Sequence, residues 1–305
     1  MPCPAGRRHD VRVARIRHVR PDEIDALLDF IVAEQADLAR GTAYIGSERA
    51  GLTLELQDLG DAWPGAALIA EEDGRIAGAT LAETDPGLGR SWLYGPWVAG
   101  DAWADLARPL LDAAIAICPA EVTRHEICGD VLNRRMAELA DQLGWKTSVP
   151  NHVFTVAEAA TTDWPPDDPR VRDAGVDDFG ALEPLHDAEF PGTYLPTRQM
   201  IDDGIAGKRI TVVSEQDGTV LGYASGWVQP DGAGYLDFFA ITPQARGAGA
   251  GTGLLVTICR RIMAAAPDRN VNLTVQDHRA PAIALYRRLG FELETTIVGY
   301  STGSV

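Results

Sequence analysis

Apolar residues along the 305-residue chain fall into short strand-like runs and longer helix-like stripes, and the order of the two is used twice. Ala14 to His18 reads as a strand. Pro21-Asp22-Glu23 then opens a helix with Ile24, Leu27, Leu28 and Ile31 on one face. Residues 33–64 are mixed and helical in part. A hairpin follows, with Ala66–Ala70 and Ile76–Leu81 joined at Glu72-Asp73-Gly74. Ser91–Val98 is a further strand, Leu106–Ile117 a helix, and Arg134–Leu143 another helix that stops at Gly144-Trp145. Residues 156–169 break the pattern with Ala159-Ala160-Thr161-Thr162 and Trp164-Pro165-Pro166-Asp167-Asp168-Pro169, a linker composition.

The order then restarts. A strand falls around Val171 and a helix on Asp177–Leu185. Next come a variable segment, a hairpin on Thr211–Ser225 turning at Gln216-Asp217-Gly218, and a strand ending at Thr242-Pro243. After a glycine-rich loop the stripe Leu254, Leu255, Ile258, Ile262 marks a helix, Asn272–Val275 a strand, and Pro281–Leu289 a helix stopped by Gly290. The turns Asp73-Gly74 and Asp217-Gly218 lie 144 positions apart, and Leu143-Gly144-Trp145 and Leu289-Gly290-Phe291 lie 146 apart. An internal duplication with a short indel explains both spacings. It gives a first domain on residues 12–157, a linker on 158–169 and a second domain on 170–305.

The chemistry concentrates in the second copy, on Arg246-Gly247-Ala248-Gly249-Ala250-Gly251-Thr252. A glycine-rich turn entering a helix presents main-chain N–H groups and the positive end of the helix dipole, which suits a phosphate or diphosphate. Glycine at 247, 249 and 251 lets the main chain close around the anion, Arg246 adds a charge-assisted contact and Thr252 a hydroxyl. No lysine lies in the loop, so it is not a P-loop, and its glycines alternate, so it is not the dinucleotide fingerprint. The bland reading is a plain strand-to-helix connection in a chain rich in glycine and alanine.

The run Arg-Gly-Ala-Gly-Ala-Gly after a strand, followed downstream by Ala282-Ile283-Ala284-Leu285-Tyr286-Arg287-Arg288-Leu289-Gly290-Phe291, resembles the two cofactor motifs of the GNAT superfamily of N-acetyltransferases, in the family's order. The resemblance implies an α/β (α+β) protein of two tandem GNAT folds, each a mixed, mainly antiparallel central sheet flanked by helices. The architecture is similar to that of the mycothiol synthases. It further implies acetyl-CoA as co-substrate, with no metal, and transfer of an acetyl group to a primary amine of a small molecule; the alternatives are a protein N-acetyltransferase or a non-catalytic protein that binds or senses acyl-CoA. Opposite the glycine loop the first copy has Ala102-Trp103-Ala104-Asp105-Leu106-Ala107, and opposite Tyr286 it has Ala140. That copy is therefore expected to be degenerate.

The resemblance also assigns roles. Tyr286 becomes the general acid for the departing thiolate, or else is a buried core tyrosine with a satisfied hydroxyl. Its phenol, with an ordinary pKa near 10 against a thiol's near 8.5, holds its proton at neutral pH. Phe239, Ala240 and Ile241 are expected to pair with the pantetheine arm like an added strand, and residues 246–252 to hold the diphosphate. Arg279 stands where the family often has asparagine. It reaches a cofactor phosphate or is a solvated charge ahead of a helix. Asp237, Glu189 and His186 are the candidates for the base, and water without a dedicated base is the alternative. Strand alternation sets Tyr235, Asp237 and Phe239 on one face and Leu236 and Phe238 on the other, which leaves Asp237 facing pocket or solvent. The segment His186–Pro196 either lines the acceptor site or is an ordinary loop between helices.

Composition narrows the setting. A formal charge of −17 argues against nucleic acid and tilts towards a cationic acceptor, or else reflects a solubilising surface. No apolar run is long enough to cross a bilayer and the N-terminus has no apolar signal core, which points to the cytoplasm. Cys3, Cys118, Cys128 and Cys259 lack metal-site spacing, and Cys259 falls on an apolar stripe as a core residue. A monomer or homodimer is expected.

Overall fold

The structure is a computed structural model that describes residues 14–60 and 62–303. The lead-in Met1–Val11 and Cys3 lie outside the described residues. The chain forms two compact units, one made of residues up to Val149 together with those from Ile297 on, the other of Pro150–Thr296.

In the first unit the elements are β1 (Arg15–His18), α1 (Ile24–Gln35), α2 (Arg49–Asp58), β2 (Ala67–Glu72), β3 (Arg75–Asp85), β4 (Arg90–Val98), α3 (Trp103–Ala116), β5 (Arg124–Asp130), α4 (Arg134–Gln142) and β6 (Lys146–Thr147). Strands β1 to β4 form an antiparallel meander in chain order. β5 joins β4 in parallel, over Arg90–Trp92 against Arg124–Glu126 only. The sheet carries a core on each face. Leu27, Ile31, Leu52 and Leu56 of α1 and α2 pack with Ile69, Leu81 and Trp97. Leu106, Leu110 and Leu111 of α3 and Met136 and Leu139 of α4 pack with Ala70, Leu93 and Ile127.

The second unit contains β7 (Asn151–Ala157), β8 (Val171–Asp173), α5 (Phe179–Glu189), α6 (Thr197–Ile205), β9 (Ile210–Gln216), β10 (Thr219–Val228), β11 (Gly234–Ile241), α7 (Ala250–Ala265), β12 (Asn270–Gln276) and α8 (Ala280–Arg288). Its strand order is β7-β12-β11-β10-β9-β8. All neighbours are antiparallel except β11 and β12, which are parallel over Gly234–Leu236 against Val271–Leu273. Helices α5 and α6 pack on one face through Leu182, Met200 and Ile201. On the other face Leu254, Leu255, Ile258, Cys259 and Ile262 of α7 are all fully buried. Burying each of the large aliphatic side chains stabilises by about 2 kcal/mol.

The duplication is visible in the backbone. Asp73 and Asp217 both have φ 51°, and Gly74 and Gly218 both have φ 75°, so the two hairpins turn through the same left-handed pair.

The unit boundaries differ from the sequence expectation, because strand pairing crosses them. Residues 151–157, expected in the first domain, pair antiparallel with β12. The last strand, β13 (Glu292–Ser301), gives its Ile297–Ser301 to β5 of the first unit. The expected linker is also packed. Trp164 is buried, donates its indole N–H to Leu289 O at 2.8 Å and stacks on Phe291, while the Asp168 amide donates to Thr257 Oγ1.

Strict alternation along β11 fails as well. Ser225 faces Phe238 and Gly226 faces Leu236, so Asp237 is an extra residue in a β-bulge. The bulge resets the faces. Leu236 and Phe239 both pack towards α7, and Phe238 turns to the α5/α6 side.

Candidate active site

The site of interest begins where β11 and β12 part. Their ladder ends at Leu236 and Leu273, and the rest of β11 runs on to a single 3-10 turn at Pro243–Ala245 and the loop before α7. A cavity of about 560 Å³ lies here, walled by Phe239, Ala240 and Ile241, by the loop at Arg246, Gly247, Gly249, Gly251 and Thr252, and by one face of α8.

The loop takes its shape from glycine. Gly247 and Gly249 have φ 79° and 82°, a region costly for residues with a Cβ. A Cβ on either would meet nothing within 4 Å, so backbone conformation, not crowding, is what demands glycine there. At Gly251 a Cβ would touch Ile241 and Phe239 at ordinary contact distance, on the pocket side. Gly249 is the N-cap of α7 and its carbonyl accepts from the amides of Thr252 and Gly253. The amides before them have no partner inside the helix.

Three arginines line this cavity, Arg246, Arg279 and Arg288, against one carboxylate, Glu189. Glu189 is the last residue of α5 and bridges two of them. Its Oε1 is 2.7 Å from Arg246 and its Oε2 2.6 Å from Arg279, whose second nitrogen donates to Glu189 O. Arg279 is thus no free solvated charge. Glu189 in turn stands on the loop side, paired with two guanidinium groups.

Tyr286 sits behind this wall, 5% exposed, among the rings of Phe154, Phe239 and Phe291. Among the described residues its hydroxyl has no hydrogen-bond partner. Burial pushes its pKa up, partly opposed by the charge of Arg279. The phenol therefore keeps its proton throughout the physiological range.

Asp237 lies on the bulge with its side chain buried, paired with Arg209 and accepting from the Tyr194 hydroxyl. It does not line the cavity. Burial raises its pKa, against the opposing pull of Arg209 and Tyr194. His186 is fully buried, donating Nε2–H to Leu195 O at 2.9 Å while Nδ1 faces the Tyr223 hydroxyl. With both nitrogens engaged inside the protein, it braces the segment 190–195 and is unavailable as a base. Within that segment Tyr194 is exposed and its ring packs near Phe238.

The sequence reading missed the α8 wall, Pro281, Ala282, Leu285 and Arg288. The signal was present, since these positions share one face of a 3.6-residue helix. Ala248 and Ala250, expected with their neighbours in the loop, do not line the cavity.

The comparable opening of the first unit is closed. Beyond Glu126, β5 receives the segment Gly41–Ile45, with the Ala43 amide and the Thr42 hydroxyl both donating to Cys128 O at 2.8 and 2.7 Å. Buried Gln35 holds that segment through Thr42 N, Thr42 O and Ile45 O, and accepts from the Trp97 indole. Asn133 caps α4 and donates to Gly41 O. Arg135 lies over the Trp103 ring, 3.5 Å from Glu34.

Comparison with known proteins agrees with this geometry. Residues 179–291 match the acetyltransferase (GNAT) family. A GCN5-related N-acetyltransferase from Sphaerobacter thermophilus superimposes with a TM-score of 0.69 at 17% identity, covering 94% of this chain and 95% of its own. A tandem GNAT protein from the clavulanic acid biosynthesis pathway superimposes with a TM-score of 0.64 at 17% identity, covering 95% of this chain and 100% of its own. No curated protein matches the sequence. The chain has the tandem GNAT fold.

Proposed function

We propose, from the premise that residues 179–291 are a GNAT-family acetyltransferase domain, that the second unit binds acetyl-CoA between β11 and the α8 face and transfers its acetyl group to a primary amine of a small molecule. The observation that carries this reading is the cavity itself. It joins a strand edge, an anion-binding glycine loop and a row of arginines end to end, with a buried phenol behind it. Acetyl-CoA supplies an activated thioester. The diphosphate sits on the amides of 247–252 with Arg246 and Arg279. The pantetheine arm continues the sheet along Phe239–Ile241, and one main-chain N–H there holds the thioester oxygen as charge builds on it.

The neutral amine nitrogen attacks the carbonyl carbon, the C–S bond breaks, and Tyr286 gives its proton to the departing thiolate. The raised pKa of Tyr286 keeps the phenol protonated for this role and makes the transfer to the thiolate costlier than for an ordinary tyrosine. The ammonium proton leaves through water, since Asp237 is held by Arg209 and Tyr194 and does not line the cavity. Tyr194, exposed and bonded to Asp237, marks the acceptor side. The net charge of −17 favours a cationic acceptor by steering.

The test is release of free thiol from acetyl-CoA across a panel of primary amines. The reading expects amine-dependent release that falls by about a hundredfold or more in Tyr286→Phe. Release from no amine in the panel, with acetyl-CoA still bound, would leave a binding protein and no transferase.

A further inference from the structure

The face of the second sheet opposite α7 carries a row of polar side chains that the donor cleft does not use. Strand pairing sets Trp227 of β10 beside Tyr235 of β11, and Tyr235 beside Asn272 of β12. Their chain neighbours Leu236, Val271 and Leu273 pack towards α7, and a Cβ on Gly226 or Gly234 would strike Ile262 of that helix. Alternation therefore sends Trp227, Tyr235 and Asn272 to the opposite face.

Most polar groups on this face satisfy one another. The Tyr235 hydroxyl donates to Thr274 Oγ1 at 3.2 Å, Arg209 donates to Ser225 Oγ at 3.1 Å and pairs with Asp237, and Thr211 and Ser225 share a hydrogen bond. Two atoms stand outside this arrangement. Trp227 Nε1 and Asn272 Oδ1 are shut off from water and, among the described residues, neither has a hydrogen-bond partner. Buried polar atoms are nearly always paired, so an orphan donor and an orphan acceptor flanking one tyrosine mark a place where something else binds. Each of the two residues is partly exposed as a whole, so a side-chain rotation is enough to present its polar atom.

The ladder of β11 and β12 ends just beyond this row, at Leu236 and Leu273. With the pantetheine arm on Phe239–Ile241, the acetyl group comes to the bulge at Asp237, two strand residues from the row, a span of about 7 Å. Resting on that reading, we propose that Trp227 and Asn272 are specificity-determining residues for the acceptor, and that the acceptor is a primary amine whose far end is an uncharged group that both accepts and donates a hydrogen bond, a hydroxyl or a carboxamide. The indole N–H needs an acceptor and offers nothing to an ammonium. Asn272 Oδ1 needs a donor and repels a carboxylate, and the guanidinium of Arg209, which would draw a carboxylate in, is held by Asp237. The ring of Tyr235 between them is an apolar floor for the connecting carbon chain.

The experiment is steady-state thiol release from acetyl-CoA by the full chain with amines of one carbon-chain length: pentylamine, aminopentanol, aminopentanamide, aminopentanoate and diaminopentane. The hydroxyl and carboxamide ends exceed pentylamine about tenfold in kcat/KM, through KM and not kcat, and both charged ends fall below them. Trp227→Phe and Asn272→Leu each bring the preferred amines to within about threefold of pentylamine, and thermal melts show no loss of stability, since each removes an atom that bonds nothing in the protein. The wild-type ranking decides the matter even where a variant does not fold. Equal kcat/KM for all ends, a charged end ranked first, or a preference that survives both variants overturns the subsite and leaves the transferase standing. Thiol release with none of the amines, while calorimetry shows acetyl-CoA bound, strikes the transferase reading and the subsite together.

Discussion

The two units begin from the same sheet and end with opposite interiors. In both, a parallel pair of strands stays together for three residues and then parts, at Trp92/Glu126 in the first unit and Leu236/Leu273 in the second. The first fills the gap with its own chain. Gly41–Ile45 bonds the β5 edge, Gln35 holds that segment from below, and Arg135 stacks on Trp103 at the start of α3. The second leaves a cavity and lines it with a glycine loop and three arginines. A strand edge carries unpaired donors and acceptors that something must satisfy. The comparison teaches that a duplicated fold can meet this demand with a permanent internal plug or with a replaceable ligand, and that the choice rests on a few residues.

Substitutions in either unit put this contrast to the test. The largest effect is expected at Gly249, where φ is 82° and the cavity wall is bare backbone. Gly249→Glu puts a carboxylate at the anion seat and should weaken acetyl-CoA by more than about a hundredfold, measured by calorimetry. Asp105→Gly, 144 positions earlier in the first copy, should change it by less than about twofold. Retained tight binding in Gly249→Glu would remove the loop from the account.

Next comes Tyr286→Phe, for which kcat is expected to drop by about a hundredfold while the Kd for acetyl-CoA stays within about twofold. Stopped-flow thiol release with a separate binding titration distinguishes this from loss of the core, since Phe keeps the ring packing against Phe154, Phe239 and Phe291.

A third substitution attacks the plug. Gln35→Ala orphans the Thr42 amide and the Trp97 indole at once and should cost about 3 kcal/mol in the first unit's urea transition, with acetyl-CoA affinity unchanged. An altered affinity would show that the first unit takes part in donor binding.

The smallest effect is a pH dependence. Burial lowers the pKa of His125, in the first unit, below its ordinary 6.5. The folded state thus favours the neutral ring, and stability present above pH 6.5 declines as pH falls through that value, until His125 itself protonates. His125→Asn should flatten this slope in thermal melts taken between pH 5 and 8, where pH is the only variable.

The sequence made the duplication and the glycine loop legible because both rest on local rules. An Asp-Gly turn between apolar runs sets its own dihedrals, and the structure repeats them to the degree in both copies. Glycine at 247 and 249 likewise answers to its own φ. What the sequence could not show depends on distant partners. Glu189 and Arg279 are 90 positions apart, and only the fold makes them an ion pair. Asp237 looked free to face either side because a one-residue bulge has no signature in alternation. The packed segment around Trp164 read as linker from its prolines, while its indole bond to Leu289 O is invisible from composition.

If one unit of the two carries the donor site, the stoichiometry of acetyl-CoA binding to the full chain, read by calorimetry, must reflect it. The account predicts one mole per mole of chain, abolished by Gly249→Glu. Two moles per chain, or one mole that persists in Gly249→Glu, would contradict it.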